Sequence, residues 1–492
     1  MRDPQRPQLL AILVLGSLAG VPSAAADLPG LAFIGSMPHL AAEENWTTSF
    51  TLINKDTSGA TARLSFFGSS GPLALPLVFP QQTVGTTLLV DTLDRPLAAN
   101  ATLAINTAGA QTAPVLVGSA QLAATGFLDG FAIFHQLGTQ QEAVVPLETR
   151  SAGSYFLAFD NTSGVVLGVA LQNVSAVAAN ITVVIRDDNG TVIGPAGATI
   201  AVAGRGHTSF VLSDPVQGFA VTANRRGTIE FKTPAGGRIS VLGLRFTPPN
   251  NALTTIPALA NVGRNGGSIA HLATGNGWQT TFVLVNVGTG AAQMHLQFFG
   301  DSGSPLLLPI VFPQYSGGMT QVASGVEQSL AAGATLIVQS AAPMSDPAPT
   351  VGSAQLTTNG NVSGFVIFRF NPSGQEAVVA LENRSANAYI LAFDNTAGIA
   401  TGIAINSVAA QAVNIPVTVR NDAGTQIASD LISLAANGHL AFTLASDKYP
   451  GSANIRGTIE FGKPANALIG ALGIRIPPAT AHTFTTLPAL AK

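Results

Sequence analysis

The strongest constraint on this chain is that it contains itself twice. Trp46-Thr47-Thr48-Ser49-Phe50 returns as Trp278-Gln279-Thr280-Thr281-Phe282, a shift of 232 residues. Phe66-Phe67-Gly68 returns as Phe298-Phe299-Gly300, and Arg226-Gly227-Thr228-Ile229-Glu230-Phe231 returns at 456–461. The shift drifts between 230 and 234 from block to block, so residues have been gained and lost between the blocks. Loops tolerate such changes and sheet ladders do not. A fold that fits must therefore be built from units that can be copied in series.

A weaker repeat lies inside each half. Leu171-Gln172-Asn173 followed by Ile181 to Ile185 resembles Leu52-Ile53-Asn54 followed by Ala62 to Phe66. Gly227 to Phe231 resembles Gly118 to Leu122, and Thr254-Thr255-Ile256-Pro257 takes the place of Ala143-Val144-Val145-Pro146. The mature chain divides into four modules in the order A-B-A′-B′: 27–149, 150–260, 261–383 and 384–492. Each is roughly 110 residues, the size of a β-sandwich. Modules in series are expected to couple only loosely.

The local pattern is all-β. Trp46, Thr48, Phe50 and Leu52 alternate with Thr47, Ser49, Thr51 and Ile53, the period of a strand with one buried face. Gly 52 and Pro 30 cut the chain into short runs, which points to sandwiches rather than βαβ units. Asn189-Gly190 within Arg186 to Val192 is a hairpin signal. The Ala-rich stretch 174–180 suits a helix or a loop equally.

The first 26 residues predict export. Arg2 and Arg6 precede an apolar run from Leu9 to Val21, then Pro22-Ser23-Ala24-Ala25-Ala26. A basic start, a short apolar centre and small residues before a cut make a signal peptide, and that centre is too short to span a bilayer. No later segment reads as a membrane helix, and Trp 2 with Tyr 4 cannot furnish the aromatic girdles of a membrane barrel. Membrane insertion is thus not expected. The chain is expected outside the cell or on its surface, with the periplasm as the alternative compartment. Absence of cysteine removes disulfides, thiolate metal sites and thiol nucleophiles. A net charge of −3 argues against a nucleic-acid partner.

Residues that carry chemistry are sparse. There is no nucleophile elbow, metalloprotease helix, phosphate loop or dinucleotide fingerprint, so no catalytic residue is assigned and an enzyme is not expected. Seven histidines lie too far apart for a local metal pair. His39 and His271 are equivalent in the duplication, as are His207 and His439, which marks His39 and His271 as ligand candidates. Half-buried histidines bonded to backbone explain the recurrence more simply. Glu142 and Glu148, like Glu376 and Glu382, are six apart, about 20 Å along a strand, too far for a glycosidase couple. Solvated charges near Arg150 and Arg384 at a strand end are expected instead.

Asp160-Asn161-Thr162 and Asp394-Asn395-Thr396 raise calcium as the one candidate cofactor, although each loop offers a single carboxylate. An Asx turn accounts for the same residues. Trp46 and Trp278 raise sugar stacking, but both alternate in phase with Phe50 and Phe282 and are expected in the core, with Phe66 and Phe298 as neighbours.

The run His39-Leu40-Ala41 … Trp46-Thr47-Thr48-Ser49-Phe50-Thr51-Leu52-Ile53-Asn54 and its copy from His271 resemble a motif of secreted bacterial repeat proteins. The resemblance covers nearly the whole mature chain. It implies bacterial export and tandem immunoglobulin-like β-sandwiches, and it supplies no catalytic residues. In the first copy Glu43-Glu44-Asn45 replaces Gly275-Asn276-Gly277, so a different turn is expected there. Repeats without an assembled site present surface rather than chemistry. The expected function is a secreted, non-catalytic structural or adhesive repeat protein, its partner an extracellular polysaccharide or a surface protein. A glycan-binding protein comes second and a secreted hydrolase third.

Overall fold

A computed structural model describes residues 29–82, 87–250, 252–263, 266–315, 317–465, 467–478 and 483–492. The expected signal peptide and His482 lie outside them. The described chain is nearly all β and forms eight antiparallel sheets. Alternation does what the sequence pattern predicts: along Ala60–Phe67 every second residue is buried, ending at Phe66 and Phe67.

The first two sheets face each other. One runs, edge to edge, Ala32–Ala42, Leu116–Ala124, Ala60–Phe67, Thr92–Leu97. The other runs Gln141–Pro146, Leu128–Gln136, Trp46–Asn54, Thr102–Thr107, Leu75–Val78, Leu88–Val90. Phe50 and Phe66 meet between them at 5.5 Å, in a core where both are fully buried. Residues 154–260 keep this strand order in reduced form. Ser154–Asp160, Arg226–Lys232, Ala179–Asp187 and Thr199–Val202 make one sheet, with Leu259–Ala260 added at its edge. Ala252–Pro257, Ile239–Thr247, Val166–Asn173 and His207–Val211 make the other. Both arrangements recur over 267–380 and 388–491.

Two local expectations are settled. Residues 174–178 form a turn and not a helix. At the Asn-Gly signal, Gly190 N donates to Asp187 O, and Gly190 alone of the pair is left-handed, at φ 84°. The hairpin forms as expected, Asp187 N donating to Thr191 O and Arg186 pairing with Val192, with the glycine taking the left-handed position.

The modules close into a ring. The core between the first two sheets takes in Leu242, Leu244, Phe246 and Leu253 from the second module. The second core takes in Val283, Val285, Phe365 and Ile367 from the third, and the third takes in Leu472 and Phe484 from the fourth. A fifth cluster joins Ile53, Phe131, Ile133 and Val144 of the first module to Ile390, Ala392, Leu487 and Leu490 of the fourth. Four outermost strands, Gln141–Pro146, Ala252–Pro257, Gln375–Ala380 and Thr485–Leu487, meet at the centre, each packed against two others. There Thr255 Oγ1 donates to Val144 O, and Thr486 Oγ1 donates to Val378 O, both at 2.6 Å.

Hairpin tips lock the other two junctions. Thr335 N donates to Asp188 O, and Thr102 N to Asp422 O, each at 2.9 Å. The tips come so close that a Cβ on Gly190 would sit 2.4 Å from Ala332 O, and one on Gly424 2.2 Å from Ala99 O. Both positions also need φ near +85°, so only glycine fits. The expected loose coupling is therefore corrected: each module borrows core from the next.

The closing junction supplies the test. Arg475 Nε donates to Glu142, whose residue is 3% exposed, at 2.9 Å. Arg475→Ala would strand a buried carboxylate and should cost about 3 kcal/mol in denaturant unfolding. Lys448→Ala, which removes a half-exposed pair with Asp430 within one module, should cost less than about 1 kcal/mol. Equal small losses would mean the ring is not closed through Glu142.

Candidate functional site

Trp46 is buried, packed edge-on against Phe134 at 6.2 Å. Trp278 is half-buried, between Phe370 at 5.0 Å and Phe484 of the fourth module at 5.3 Å. The expected neighbours Phe66 and Phe298 instead face Phe50 and Phe282. Neither tryptophan is an open platform. The turns before them are the same, against expectation. Glu43, Glu44 and Asn45 are all left-handed, as are Gly275, Asn276 and Gly277, and Trp46 N and Trp278 N donate to Glu43 O and Gly275 O. The first copy holds this strained path with side chains: Glu43 Oε2 accepts from Ala110 N, and Glu44 Oε2 accepts from Val115 N.

The recurring histidines find each other. His39 Nδ1 lies 3.2 Å from His207 Nε2, and His271 Nδ1 lies 3.1 Å from His439 Nε2. Each pair bridges two modules, so the partners are side chains and not the expected backbone. In the second pair Asp301 Oδ1 accepts from His439 Nδ1 at 2.7 Å, which leaves Nε2 as acceptor and makes His271 the donor. By the shift of 232, Ser69 stands where Asp301 is. Burial pushes His39 down to about 4 and His271 to about 3, the latter helped by His439. It lowers His207 and His439 as well, with Asp301 opposing at His439.

Asp160 Oδ1 accepts from Thr162 N at 2.9 Å and from its hydroxyl at 2.6 Å, while Oδ2 accepts from Arg226 Nε at 3.0 Å. Asp394 repeats this with Thr396 and Arg456. A guanidinium beside each carboxylate opposes a cation there. Among the described residues no group of three or more His, Asp or Glu side chains is placed to hold a metal.

These aspartates line two matching clefts that the sequence did not reveal. One, of about 280 Å³, lies between the second and third modules and includes Asp160, Arg226, Arg245, Arg369 and Glu376. The other, of about 290 Å³, lies between the first and fourth and includes Asp394, Arg456, Arg475, His135 and Glu142. Glu142 and Glu376 are thus not the solvated strand-end charges expected: each is 3% exposed and paired across a junction. The signal was present in the recurrence of Gly243-Leu244-Arg245 as Gly473-Ile474-Arg475. Glu148 and Glu382 do pair with Arg150 and Arg384. They border a larger cavity of about 520 Å³ at the ring's centre, walled by Pro146, Leu147, Pro257, Leu381 and Leu490.

No family model and no curated protein matches this chain. Among the described residues no helix is long and apolar enough to cross a membrane.

Trp46→Ala should cost about 3 to 5 kcal/mol, and Trp278→Ala less, because its ring is partly open already. Blue emission resistant to acrylamide in Trp278→Phe, where Trp46 alone reports, checks the burial; ready quenching would contradict it.

The histidines predict acid sensitivity. A folded pKa below the unfolded value of 6.5 gives stability that is complete above pH 6.5 and falls as pH drops toward 4. For His39 the loss is about 3 kcal/mol. Asp188 works the other way, since burial raises its carboxyl to about 6 against the pull of Arg226, so the comparison must be made within one background. His39→Gln should flatten the fall in unfolding free energy between pH 6.5 and 4. Parallel curves for the two proteins would show that His39 does not titrate in that range.

Proposed function

We propose that this is a secreted, non-catalytic structural or adhesive repeat protein of the bacterial surface or extracellular space. One observation carries the reading: the side chains that could do chemistry are spent on joining modules. The histidines pair with each other, Glu376 is held by Arg245, Arg369 and the Thr247 hydroxyl, and Glu142 by Arg475. The order A-B-A′-B′ fits the strand orders, which repeat fully between halves and in reduced form within them. Signal-peptide features at residues 1–26 support export.

A glycan-binding protein is the second reading, favoured by the two polar clefts at module junctions. Binding sites gather between domains in this way. It would not use Trp46 as a stacking face. The hydrolase reading stands third.

Residues 27–492, purified, should coat a bacterial or polysaccharide surface and turn over nothing in a broad glycosidase and esterase panel. Turnover that survives repurification and is lost on Glu376→Gln would replace the adhesive reading with the hydrolase one.

A further inference from the structure

The twin clefts share a plan but not a charge. Each has an Asp–Arg pair from a B-type module and a buried Glu facing a second Arg across the junction. Among the polar side chains that the site uses they differ at two positions, Gln339 standing where the twin has Asn106, and one of the two carries charge. Opposite Glu376 stands Arg369, and opposite Glu142 stands His135.

That difference decides what the crossing arginine is free to do. In the second cleft His135 lies 3.7 Å from Glu142 but is held neutral, its pKa lowered chiefly by burial. Glu142 therefore relies on Arg475, whose Nη1 also turns toward Asp394 at 3.9 Å. Two guanidiniums meet two carboxylates, and the cleft is neutral. In the first cleft Glu376 is satisfied twice, by Arg369 Nη1 at 2.8 Å and by Arg245 Nε at 2.9 Å. Among the residues that line this cleft three guanidiniums meet two carboxylates, with the Asp188 carboxyl behind the lining and within reach of Arg226.

The unengaged donors of this lining sit at the open end of Arg245. Among the described residues its Nη1 and Nη2 have no partner, although the side chain is only 14% exposed. A guanidinium with Nε engaged and its terminal nitrogens open can take a carboxylate on both. Around it the cleft offers hydrogen-bonding groups without partners. Thr335 Oγ1 is buried and unpaired. Gln339 gives its amide protons to Gln279 and Thr281, which leaves its oxygen open. The volume, about 280 Å³, is near the roughly 300 Å³ at which small-molecule sites begin.

We propose that the cleft between the second and third modules binds one carboxylate-bearing sugar of the uronic acid class, and that its twin does not. Arg245 takes the carboxylate, Arg369 frees it to do so by neutralising Glu376, and Gln339 and Thr335 meet ring hydroxyls. The site stands apart from the adhesive reading, since a chain that adheres without binding the acid and one that binds it without adhering are distinct results.

Calorimetric titration of residues 27–492 with D-galacturonate at pH 7, with glucose and acetate as controls, tests this. Galacturonate should bind once per chain, at least about tenfold tighter than either control. Arg245→Lys keeps the charge but loses the fork, and should weaken binding at least about tenfold in protein that circular dichroism shows to be folded. His135→Arg together with Asn106→Gln, on the opposite side of the ring, reproduces both differences and should create a second site. No binding, equal binding of glucose or acetate, or two sites in the unaltered protein would each overturn the proposal. So would Arg245→Lys binding as well as the parent. Should Arg245→Lys fail to fold, the stoichiometry of the doubly substituted His135→Arg, Asn106→Gln protein still decides: one site refutes, two support.

Discussion

Everything in this structure depends on what happens to four unpaired strand edges. A sandwich of antiparallel sheets ends in strands whose outer backbone groups invite pairing with other chains. Here the edges Gln141–Pro146, Ala252–Pro257, Gln375–Ala380 and Thr485–Leu487 are turned inward and set against one another. They do not merge into one sheet; threonine hydroxyls reach across to the facing carbonyls instead. The modules keep separate sheets, and the exposed edges of one are covered by the others.

Burying that many contacts between modules brings charged groups along. With only 10% of residues charged, the chain concentrates several of them where modules meet. Isolated buried carboxylates are costly, and pairing with a guanidinium from the next module removes most of that cost. Such pairs contribute less to net stability than to register. A displaced module would leave Glu142 or Glu376 without its partner, so misassembly is penalised more than correct assembly is rewarded.

The sequence made the architecture legible because its signals are local or repeated. Alternation in Trp46 to Ile53 declares a strand with one buried face, and block recurrence declares the copies. What it hid are relations between distant segments. His39 and His207 are 168 residues apart, as are His271 and His439; their equivalence was visible, but their pairing was not. Spacing along a strand placed Glu142 correctly and misjudged its surroundings, because the covering surface comes from residue 475, at the other end of the chain. The left-handed turn at Glu43 was hidden for another reason. Its residues are poor at that backbone path, and only the contacts from Ala110 and Val115 reveal how they hold it.

The closing junction also sets how the protein responds to force. Lys55 Nζ donates to Ala491 O at 2.7 Å, so the first module grips the last described strand directly. In a linear string of sandwiches, tension applied at the two ends would pass through every linker in turn. Here the first load falls on the contact between the outer modules, in which apolar side chains and the Arg475–Glu142 pair act together. Until that contact parts, the linkers carry little strain. Once it parts, the ring opens into an arc still held by the three remaining shared cores, so length is released one junction at a time.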